Sequence, residues 1–180
     1  HGYSCGGNIG PQFTYANRSD VIDRFPFATD TNASDVGNLT VARYTSGGQQ
    51  SSTHGYTSGG GQGPGYSHTD VIDKFPFAVS TANATDVGNL NNIVYGSAGQ
   101  SSFTHGYRSG GQNSHPTVSP PYPTIIFINE IDRFPFATDA NATDIGDMLA
   151  SNKQVTGFSS NAFGYIAGGN TSPNSCLLYT

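Results

Sequence analysis

The stretch HGYTSGG at residues 54–60 recurs along the chain as HGYSCGG at 1–7, HGYRSGG at 105–111 and FGYIAGG at 163–169. Successive copies start at His1, His54, His105 and Phe163, which gives spacings of 53, 51 and 58 residues. A second phrase, IDRFPFA or IDKFPFA, lies between them at 22–28, 72–78 and 131–137. A period near 50 residues indicates a solenoid, an array or a propeller.

The composition favours short strands joined by tight turns. Glycine accounts for 24 of the 180 residues, well above the usual level of about 7%. Only 11% of residues are charged and the formal net charge is -5, so we expect no nucleic acid partner and no anionic membrane surface. The longest apolar run, TIIFIN from Thr124, has the length of one strand, and we expect no membrane insertion. These features predict a single all-β domain over residues 1–180.

Each unit is predicted to hold three or four strands. In the stretch 70–78, Asp73 and Phe75 share one face of a strand and Ile72 lies on the other, while Pro76 places this strand near a sheet edge. Further strands are predicted in LTVARY from Leu39 and LNNIVY from Leu90. The insertion NSHPTVSPPYP at 113–123 is rich in proline and predicts a surface loop rather than a strand.

The repeats resemble those of kelch and galactose-oxidase-type β-propellers, whose blades carry a Gly-Gly doublet at the end of one strand. Gly59-Gly60 and Gly110-Gly111 match that doublet, and the chain has no Trp, so the FPF phenylalanines take the aromatic position. The wording of the repeats is also similar to repeat proteins of viruses of marine cyanobacteria, most of which have no assigned function. The resemblance implies a small β-propeller of three full repeats of about 50 residues and a partial fourth. The predicted units are 1–53, 54–104, 105–162 and the partial 163–180.

The phenylalanines of the second phrase are the predicted core. Burial of one such side chain contributes about 1.5 to 3 kcal/mol. An aromatic platform for sugar stacking is the alternative, but repetition in every unit favours packing, since a binding site needs to appear only once. The six residues are Phe25, Phe27, Phe75, Phe77, Phe134 and Phe136.

The ends of the chain carry its two cysteines, Cys5 and Cys176. We predict a disulfide between them, which would clasp the ends and place the protein outside the cytoplasm; two free thiols are the alternative. The chain begins at His1 without Met, so we expect either a removed signal or a portion of a longer chain. We expect the tail SCLLYT from Ser175 to complete the first unit and close the ring. The alternative is an unfinished edge that accepts a strand from a neighbouring copy.

Three groups of polar residues invite a metal or catalytic interpretation. His1, His54 and His105 occupy equivalent positions, but Phe163 replaces them in the fourth copy, which favours hydrogen bonding or packing over a metal site. The equivalent residues Asp23, Asp73 and Asp132 each precede a base. Neighbours in a strand point to opposite faces, so we expect each carboxylate to meet a turn amide.

The turns DTNASD from Asp30 and DANATD from Asp139 place oxygens at alternating positions. They lack the central Gly and terminal Glu of a calcium loop, so we favour Asx turns and predict no cofactor, with calcium as the alternative. The chain also holds six glycosylation sequons, at Asn17, Asn32, Asn38, Asn83, Asn141 and Asn170. Composition alone is the other explanation for these triplets.

The repeats contain no residue set that singles out a catalytic centre, and we predict that the protein is not an enzyme. The leading hypothesis is a structural building block of an extracellular or virion-associated fibre or appendage, in which the partners are copies of the chain. The alternative is a lectin-like adhesion module that binds surface glycans through Tyr56, Tyr107 or Tyr122.

Overall fold

The computed structural model describes residues 1–9, 17–63, 67–79, 81–115 and 124–171, and these ranges contain strands and no helix. The all-β prediction is therefore confirmed. In chain order the strands are β1 (Gly2–Asn8), β2 (Arg18–Phe25), β3 (Ser34–Asn38), β4 (Gly47–Gln50), β5 (His54–Ser58), β6 (Thr69–Pro76), β7 (Thr85–Val94), β8 (Ala98–Ser101), β9 (His105–Ser109), β10 (Gln112–His115), β11 (Thr124–Phe127), β12 (Glu130–Pro135), β13 (Thr143–Asp147), β14 (Thr156–Ser159) and β15 (Gly164–Ala167).

Four antiparallel sheets follow one plan. The second sheet has the order β4-β5-β6-β7, and the third has the matching order β8-β9-β12-β13. We call these four positions a, b, c and d. The first sheet, β1-β2-β3, holds positions b, c and d, and the fourth sheet, β14-β15, holds positions a and b. Each full sheet thus begins with a short strand that precedes the HGY phrase.

The FPF strand lies inside its sheet rather than at an edge. β6 pairs with β5 on one side and β7 on the other. Pro76 is the last residue of β6 and lies opposite His54, beyond the last pair that β6 forms with β7, between Lys74 and Thr85. A proline at that point costs the ladder with β7 no hydrogen bond, so the strand does not need to be peripheral.

The two faces of the c strand belong to two different cores. Ile72 packs with Tyr56, Leu90 and Phe134 between the second and third sheets. Phe75 packs on the opposite side, with Ile22 and Val36 between the first and second sheets. The period-2 alternation predicted for this strand is confirmed, and it lets each sheet pack against both of its neighbours.

The prediction that all six phenylalanines are buried is wrong for the first unit. Phe75 and Phe134 are 4% and 1% exposed, whereas Phe25 is 39% exposed and Phe27 is 77% exposed. Phe77 and Phe136 are partly buried against the same cores. The sequence phrase is the same each time, but in the described part of the chain no sheet packs in front of the first one.

The first three residues of the insertion in the third unit, 113–115, belong to a strand where a loop was predicted. β10 pairs with β11, with Gln112 opposite Phe127 and Asn113 opposite Ile126. The prolines at 116–123 lie outside the described residues. Neither flanking segment contains proline, so each of their residues has a backbone N–H for the ladder, and β11 also begins with three β-branched residues.

The predicted Cys5–Cys176 disulfide is not formed. Cys5, in β1, is a free thiol that lies opposite Ile22 of β2 and packs against the core between the first and second sheets. Burial raises the pKa of the Cys5 thiol to about 11. Its side chain faces the interior of the sheet stack, so it is used for packing, as free cysteines often are. Cys176 and the tail from Ser175 lie outside the described residues.

A closed ring is likewise not formed by the described strands, because β1, β2 and β3 pair with one another and none of them pairs with β14 or β15. The described residues also contain no helix with the length and hydropathy of a membrane span.

Candidate functional site

The interface between successive sheets contains a repeated phenylalanine pocket. Phe75 lies under Gly55 of its own sheet, and its ring centroid is 5.4 Å from that of Tyr3 in the preceding sheet. Phe134 lies under Gly106 in the same way, with its ring centroid 5.6 Å from that of Tyr56. A Cβ on either glycine would overlap the phenylalanine ring, which is why the HGY phrase requires glycine at this point.

Hydrogen bonds between the d strand of one sheet and the Asn-Ala turn of the next complete the interface. The backbone N–H of Asn38 donates to Asn83 Oδ1 at 3.0 Å, and Asn89 donates to Asn141 Oδ1 at the same distance. The backbone N–H of Ala84 donates to the Asn38 carbonyl at 2.8 Å. The turn that follows FPF is therefore part of the sheet-to-sheet contact.

A buried carboxylate lies beside each filled pocket and accepts a backbone hydrogen bond from the preceding sheet. The donor lies outside the strands for Asp73, as predicted, but within β7 for Asp132. Asp73 accepts from the backbone N–H of Thr40 at 3.0 Å, and Asp132 accepts from that of Asn91 at 3.2 Å. Each carboxylate is also paired with a buried arginine, Arg43 for Asp73 and Arg108 for Asp132. Burial lowers the pKa of Arg43, and Asp73 opposes that shift.

The two arginines reach the same place from different positions in the repeat. Arg43 donates to the carbonyls of Gly59 and Val71 at 3.2 and 3.0 Å. Arg108 donates to the equivalent carbonyls, those of Gly110 and Glu130, at 3.0 and 3.4 Å. We call this the guanidinium site.

Arg43 belongs to the linker after β3, whereas Arg108 belongs to β9 itself. In the second sheet, where Arg43 supplies the guanidinium, the residue at the position of Arg108 is Thr57. For the third sheet, where Arg108 supplies it, the residue at the position of Arg43 is Val94, the last residue of β7. Sequence analysis missed both arginines because they occupy unmatched columns of the repeat.

A fourth copy of the phenylalanine pocket is open. Beside β15 there is a cleft of about 230 Å³, lined on one side by Tyr107, Ile131 and Ile145 and on the other by Gly164. These residues correspond to Tyr56, Ile72, Val87 and Gly106, which surround Phe134. Ile145 is 45% exposed, and within the described part of the chain β15 pairs with β14 alone. We call this feature the open cleft.

The opposite end of the array presents the complementary surface. Phe25 and Phe27 lie edge to face, with ring centroids 5.7 Å apart, and both are exposed. Asn32, which corresponds to Asn83 and Asn141, is exposed as well. Asp23 is half-buried and has no arginine partner among the described residues. Ser4 stands where Arg108 does in the third sheet, and no described sheet precedes the first one to supply a counterpart of Arg43. We call this surface the leading face.

The candidate carbohydrate-contact tyrosines fall in three different settings. Tyr56 is buried and its ring stacks on Phe136 at 4.7 Å, and its burial raises the pKa of its hydroxyl. Tyr107 is half-buried and lines the open cleft. Tyr122 lies outside the described residues. Of the two candidate tyrosines that are described, Tyr107 is therefore the one in a position to meet a ligand.

The sequons are at the surface. Asn17, Asn83 and Asn170 are exposed, while Asn38 is partly buried. The turn-borne asparagines Asn32 and Asn141 are exposed at equivalent positions of the first and third sheets. In the two internal interfaces the amide oxygen of this asparagine accepts a hydrogen bond, which leaves its nitrogen as the atom that would carry a glycan.

The repeated histidines make local contacts. His54 Nδ1 lies 2.9 Å from the Thr53 hydroxyl, and His105 Nδ1 lies 2.8 Å from that of Thr104. Partial burial and a nearby cation, Lys74 for His54, lower the pKa of these imidazoles. Within the described ranges no group of three His, Cys, Asp or Glu side chains is placed to hold a metal ion.

The acidic turns differ in their surroundings. Asp139 forms a 2.7 Å salt bridge with Lys74 of the preceding sheet. Asp30, at the equivalent point of the first unit, is exposed on the leading side of the array. The contact that Asp139 makes is between sheets, consistent with a role in packing.

His68 is a buried histidine that the repeat pattern gave no reason to single out. Its ring packs against that of Tyr95 at 4.4 Å, and its Nδ1 is buried without a partner in the described structure. Burial lowers the pKa of His68 to about 4. The neutral imidazole is therefore the form that fits this position.

No family model matches the chain, and no curated protein matches it in sequence. The fold, however, is similar to that of a solved structure. The structure of YjhT aligns with a TM-score of 0.75 and 13% sequence identity, over 90% of this chain and 48% of that chain. This chain therefore spans about half the length of that protein. At 13% identity the likeness concerns the fold and carries no activity with it.

Proposed function

We propose that the chain is an arc of a β-propeller. Two observations support this arrangement. Successive sheets pack face to face through the same alternating cores, and the a strands approach one another closely at glycines. A Cβ on Gly99 would overlap the Gly48 backbone, and one on Gly157 would overlap that of Gly99. Sheets that crowd together along one edge are inclined to each other like the blades of a propeller.

The function that the geometry supports best is a non-enzymatic structural building block of an extracellular or virion-associated fibre or appendage. One observation carries this proposal: an interface that is filled twice inside the chain is exposed as two unfilled halves, the open cleft at one end and the leading face at the other. Surfaces of this kind, left by an interrupted repeat, recruit further units.

The surface chemistry is in keeping with this role. With 11% charged residues and a net charge of -5, the surface suits copies of the chain as partners better than nucleic acid. Exposed sequons at equivalent positions of successive sheets suit a location outside the cell or on a virion surface.

Sedimentation velocity and negative-stain microscopy over a range of protein concentrations test the proposal. The wild-type chain is expected to form assemblies larger than 18.8 kDa. The double variant Phe25→Ser/Phe27→Ser is expected to remain monomeric, because it removes the aromatic part of the leading face. Phe103→Ser is the matched control, since Phe103 is 80% exposed in the β8–β9 loop, away from both ends. A wild-type protein that stays monomeric at high concentration would contradict the proposal.

A lectin-like adhesion module is the second candidate, favoured by the position of Tyr107 in the open cleft beside Gln100, Ser102 and Asn161. Aromatic and amide side chains in one concave site are typical of small polar ligands. A glycan array is the direct test: a sugar bound by the wild-type chain and lost in Tyr107→Ala would support adhesion, and no binding across the array would eliminate it.

A further inference from the structure

The open cleft is lined by the same kinds of residue as two pockets that are filled inside the chain. In the second and third sheets the equivalent space is occupied by Phe75 and Phe134, each under a glycine and against a tyrosine of the preceding sheet. In the fourth sheet the glycine is Gly164 and the tyrosine is Tyr107, and both line an empty space. The cleft therefore fits the first phenylalanine of an FPF segment that pairs along β15.

The b strand β15 has no neighbour among the described strands on the side where such a segment would add. In the complete sheets the b strands β5 and β9 have neighbours on both sides, at positions a and c. Among the described strands β15 has its position-a neighbour, β14, and nothing at position c. A free strand edge next to an apolar pocket is the arrangement that accepts an added β-strand.

The strand that fits is present in the chain and carries exposed phenylalanines. β2 and β3 hold positions c and d of the first sheet, and the ring of Phe25 lies under Gly2 as Phe75 lies under Gly55. Among the described strands, none occupies position a of the first sheet. Together, β14-β15 of one copy and β2-β3 of another make the complete order a-b-c-d.

In that combined sheet β15 takes the place of β1. The exchange replaces like with like, because Gly164 and Tyr165 of β15 correspond to Gly2 and Tyr3 of β1. Among the described strands β1 pairs with β2 alone, so its removal breaks one described ladder and the new β15–β2 ladder restores it. Exchange of an equivalent element between copies is an accessible route to a dimer, since few new contacts have to be created.

We infer that two copies of this chain associate by inserting the β2-β3 pair of each copy beside β15 of the other, which places Phe25 in the partner's open cleft and closes a ring of six complete sheets. This inference rests on the proposed function and makes the closed pair of copies the building block. The chain aligns with 48% of YjhT, so two copies supply about the amount of chain found in that one protein.

Site-specific cross-linking tests the junction. In the second sheet Tyr56 lies opposite Lys74, and the corresponding pair at the junction is Tyr165 of one copy and Arg24 of the other. Directly opposed residues of antiparallel strands have Cα atoms about 4.5 to 5.5 Å apart, within disulfide range. The experiment mixes full-length Tyr165→Cys with full-length Arg24→Cys, both in a Cys5→Ser/Cys176→Ser background, under mild oxidation.

A disulfide-linked dimer of the two variants is expected, together with a wild-type mass of about twice 18.8 kDa by light scattering. Arg133→Cys in place of Arg24→Cys is the matched control. Arg133 is the equivalent residue in the complete third sheet, where it already lies opposite Tyr107. The cross-link is expected to be at least about tenfold weaker with this control, since a complete sheet gains nothing by exchanging a strand.

A gain-of-function variant tests the same junction independently of cysteine. Ile166 of β15 corresponds to Arg108, so Ile166→Arg would place a guanidinium opposite Asp23 of the partner. We expect the dimer dissociation constant to fall about tenfold, because a charge-assisted hydrogen bond forms at the empty guanidinium site. Adding Asp23→Asn is expected to cancel the gain.

The outcomes separate the inference from the proposed function. Cross-linked filaments larger than a dimer would overturn the closed ring of two copies and leave the structural role intact. A cross-link within one chain, in a variant carrying both cysteines, would overturn the exchange between copies in favour of self-closure. A dimer without the cross-link would overturn the junction. A monomer that fails to cross-link would overturn both proposals.

Discussion

A buried carboxylate and a guanidinium recur in this repeat even though their residues do not align. Asp73 and Asp132 are fully buried and each is paired with an arginine, one from a linker and one from a strand. A buried ion pair adds little net stability, but removal of one partner is costly, because the remaining charge is left in a low-dielectric interior. The arginine comes from different positions in the second and third sheets, but a buried arginine is present beside the carboxylate in both.

The double variant Arg43→Val/Thr57→Arg tests this equivalence. Arg43→Val alone is expected to lower the free energy of unfolding by about 3 to 5 kcal/mol, since Asp73 loses its partner. Adding Thr57→Arg reproduces the arrangement of Val94 and Arg108 in the third sheet and is expected to restore at least about half of that loss. Urea unfolding measures both values.

Arg133→Val is the control for that pair of variants. Arg133 is exposed, so its replacement is expected to change the free energy of unfolding by less than about 0.5 kcal/mol. A double variant no more stable than Arg43→Val would show that the two arginine positions are not interchangeable.

His68 gives the protein a pH dependence that its buried imidazole explains. Its pKa is about 4 in the folded chain and about 6.5 when unfolded, so between these values the unfolded state binds more protons. The contribution of the neutral His68 to the free energy of unfolding is therefore fully present above about pH 6.5. It is lost as the pH falls toward 4, by up to about 1.4 kcal/mol per pH unit.

His68→Gln is expected to remove this part of the pH dependence, and urea unfolding at pH 7 and pH 5 measures it. His54 and His105 remain in both proteins, so the difference between wild type and variant isolates His68. Equal losses of stability in the two proteins would show that His68 is solvated in the folded state.

At the scale of a strand, each b strand of an internal interface combines a glycine that cannot be replaced by a larger residue with a tyrosine that contacts a phenylalanine of the next sheet. The phenylalanine of the c strand lies under the glycine, and the tyrosine of the preceding b strand lies against the same ring. The pocket is thus built from two adjacent strands of one sheet and one strand of its neighbour. In the incomplete fourth sheet β15 keeps the glycine, but no described phenylalanine lies under it, so the glycine can be replaced by a larger residue.

Gly106→Ala and Gly164→Ala compare the same position in a filled and an open pocket. At Gly106 the new methyl would overlap the Phe134 ring, and we expect a loss of about 1 to 3 kcal/mol in the free energy of unfolding. At Gly164 the nearest atom to a new Cβ is Gln100 Cβ at 3.4 Å, so we expect a change below about 0.5 kcal/mol.

Calorimetry or urea unfolding, at a concentration low enough to keep the protein monomeric, decides between these values. Equal losses at the two positions would mean that the fourth pocket is occupied in the free chain.

At the scale of the whole molecule, position in the array decides what a residue contributes. Phe25 and Phe134 belong to the same phrase, IDRFPFA, yet one is 39% exposed and the other 1% exposed. The first sheet has no neighbour in front of it among the described residues, whereas the third is covered by the second. A repeat array buries its units pairwise, so its ends are always less stable than its middle.

Phe134→Ala and Phe25→Ala test this dependence on position. Phe134→Ala is expected to cost about 3 to 5 kcal/mol, as do most truncations of a buried phenylalanine. Phe25→Ala is expected to cost less than half as much in the monomer. Urea midpoints measured at low concentration provide the comparison. Similar costs would imply that the leading face is covered even in the isolated chain.

The sequence by itself determined the strand content, the repeat and the alternation of the c strand. Each follows from short-range chemistry: glycine doublets turn the chain, and the side chains of the c strand alternate between its faces, with Ile72 on one face and Phe75 on the other. The contact of Asp73 with an amide outside the strands was predictable for the same reason, because Asp73 and the adjacent Lys74 point to opposite faces of the strand.

Only the tertiary structure decided which copies are buried, where the arginines come from and which thiol is free. Phe25 and Phe134 lie in identical IDRFPFA phrases, and their difference in burial arises from whether a neighbouring sheet covers them. Arg43 and Arg108 converge on one site from different columns of the repeat, which no local pattern reveals. Cys5 faces a core between sheets, and the direction of its side chain depends on how those sheets pack rather than on its distance from Cys176 along the chain.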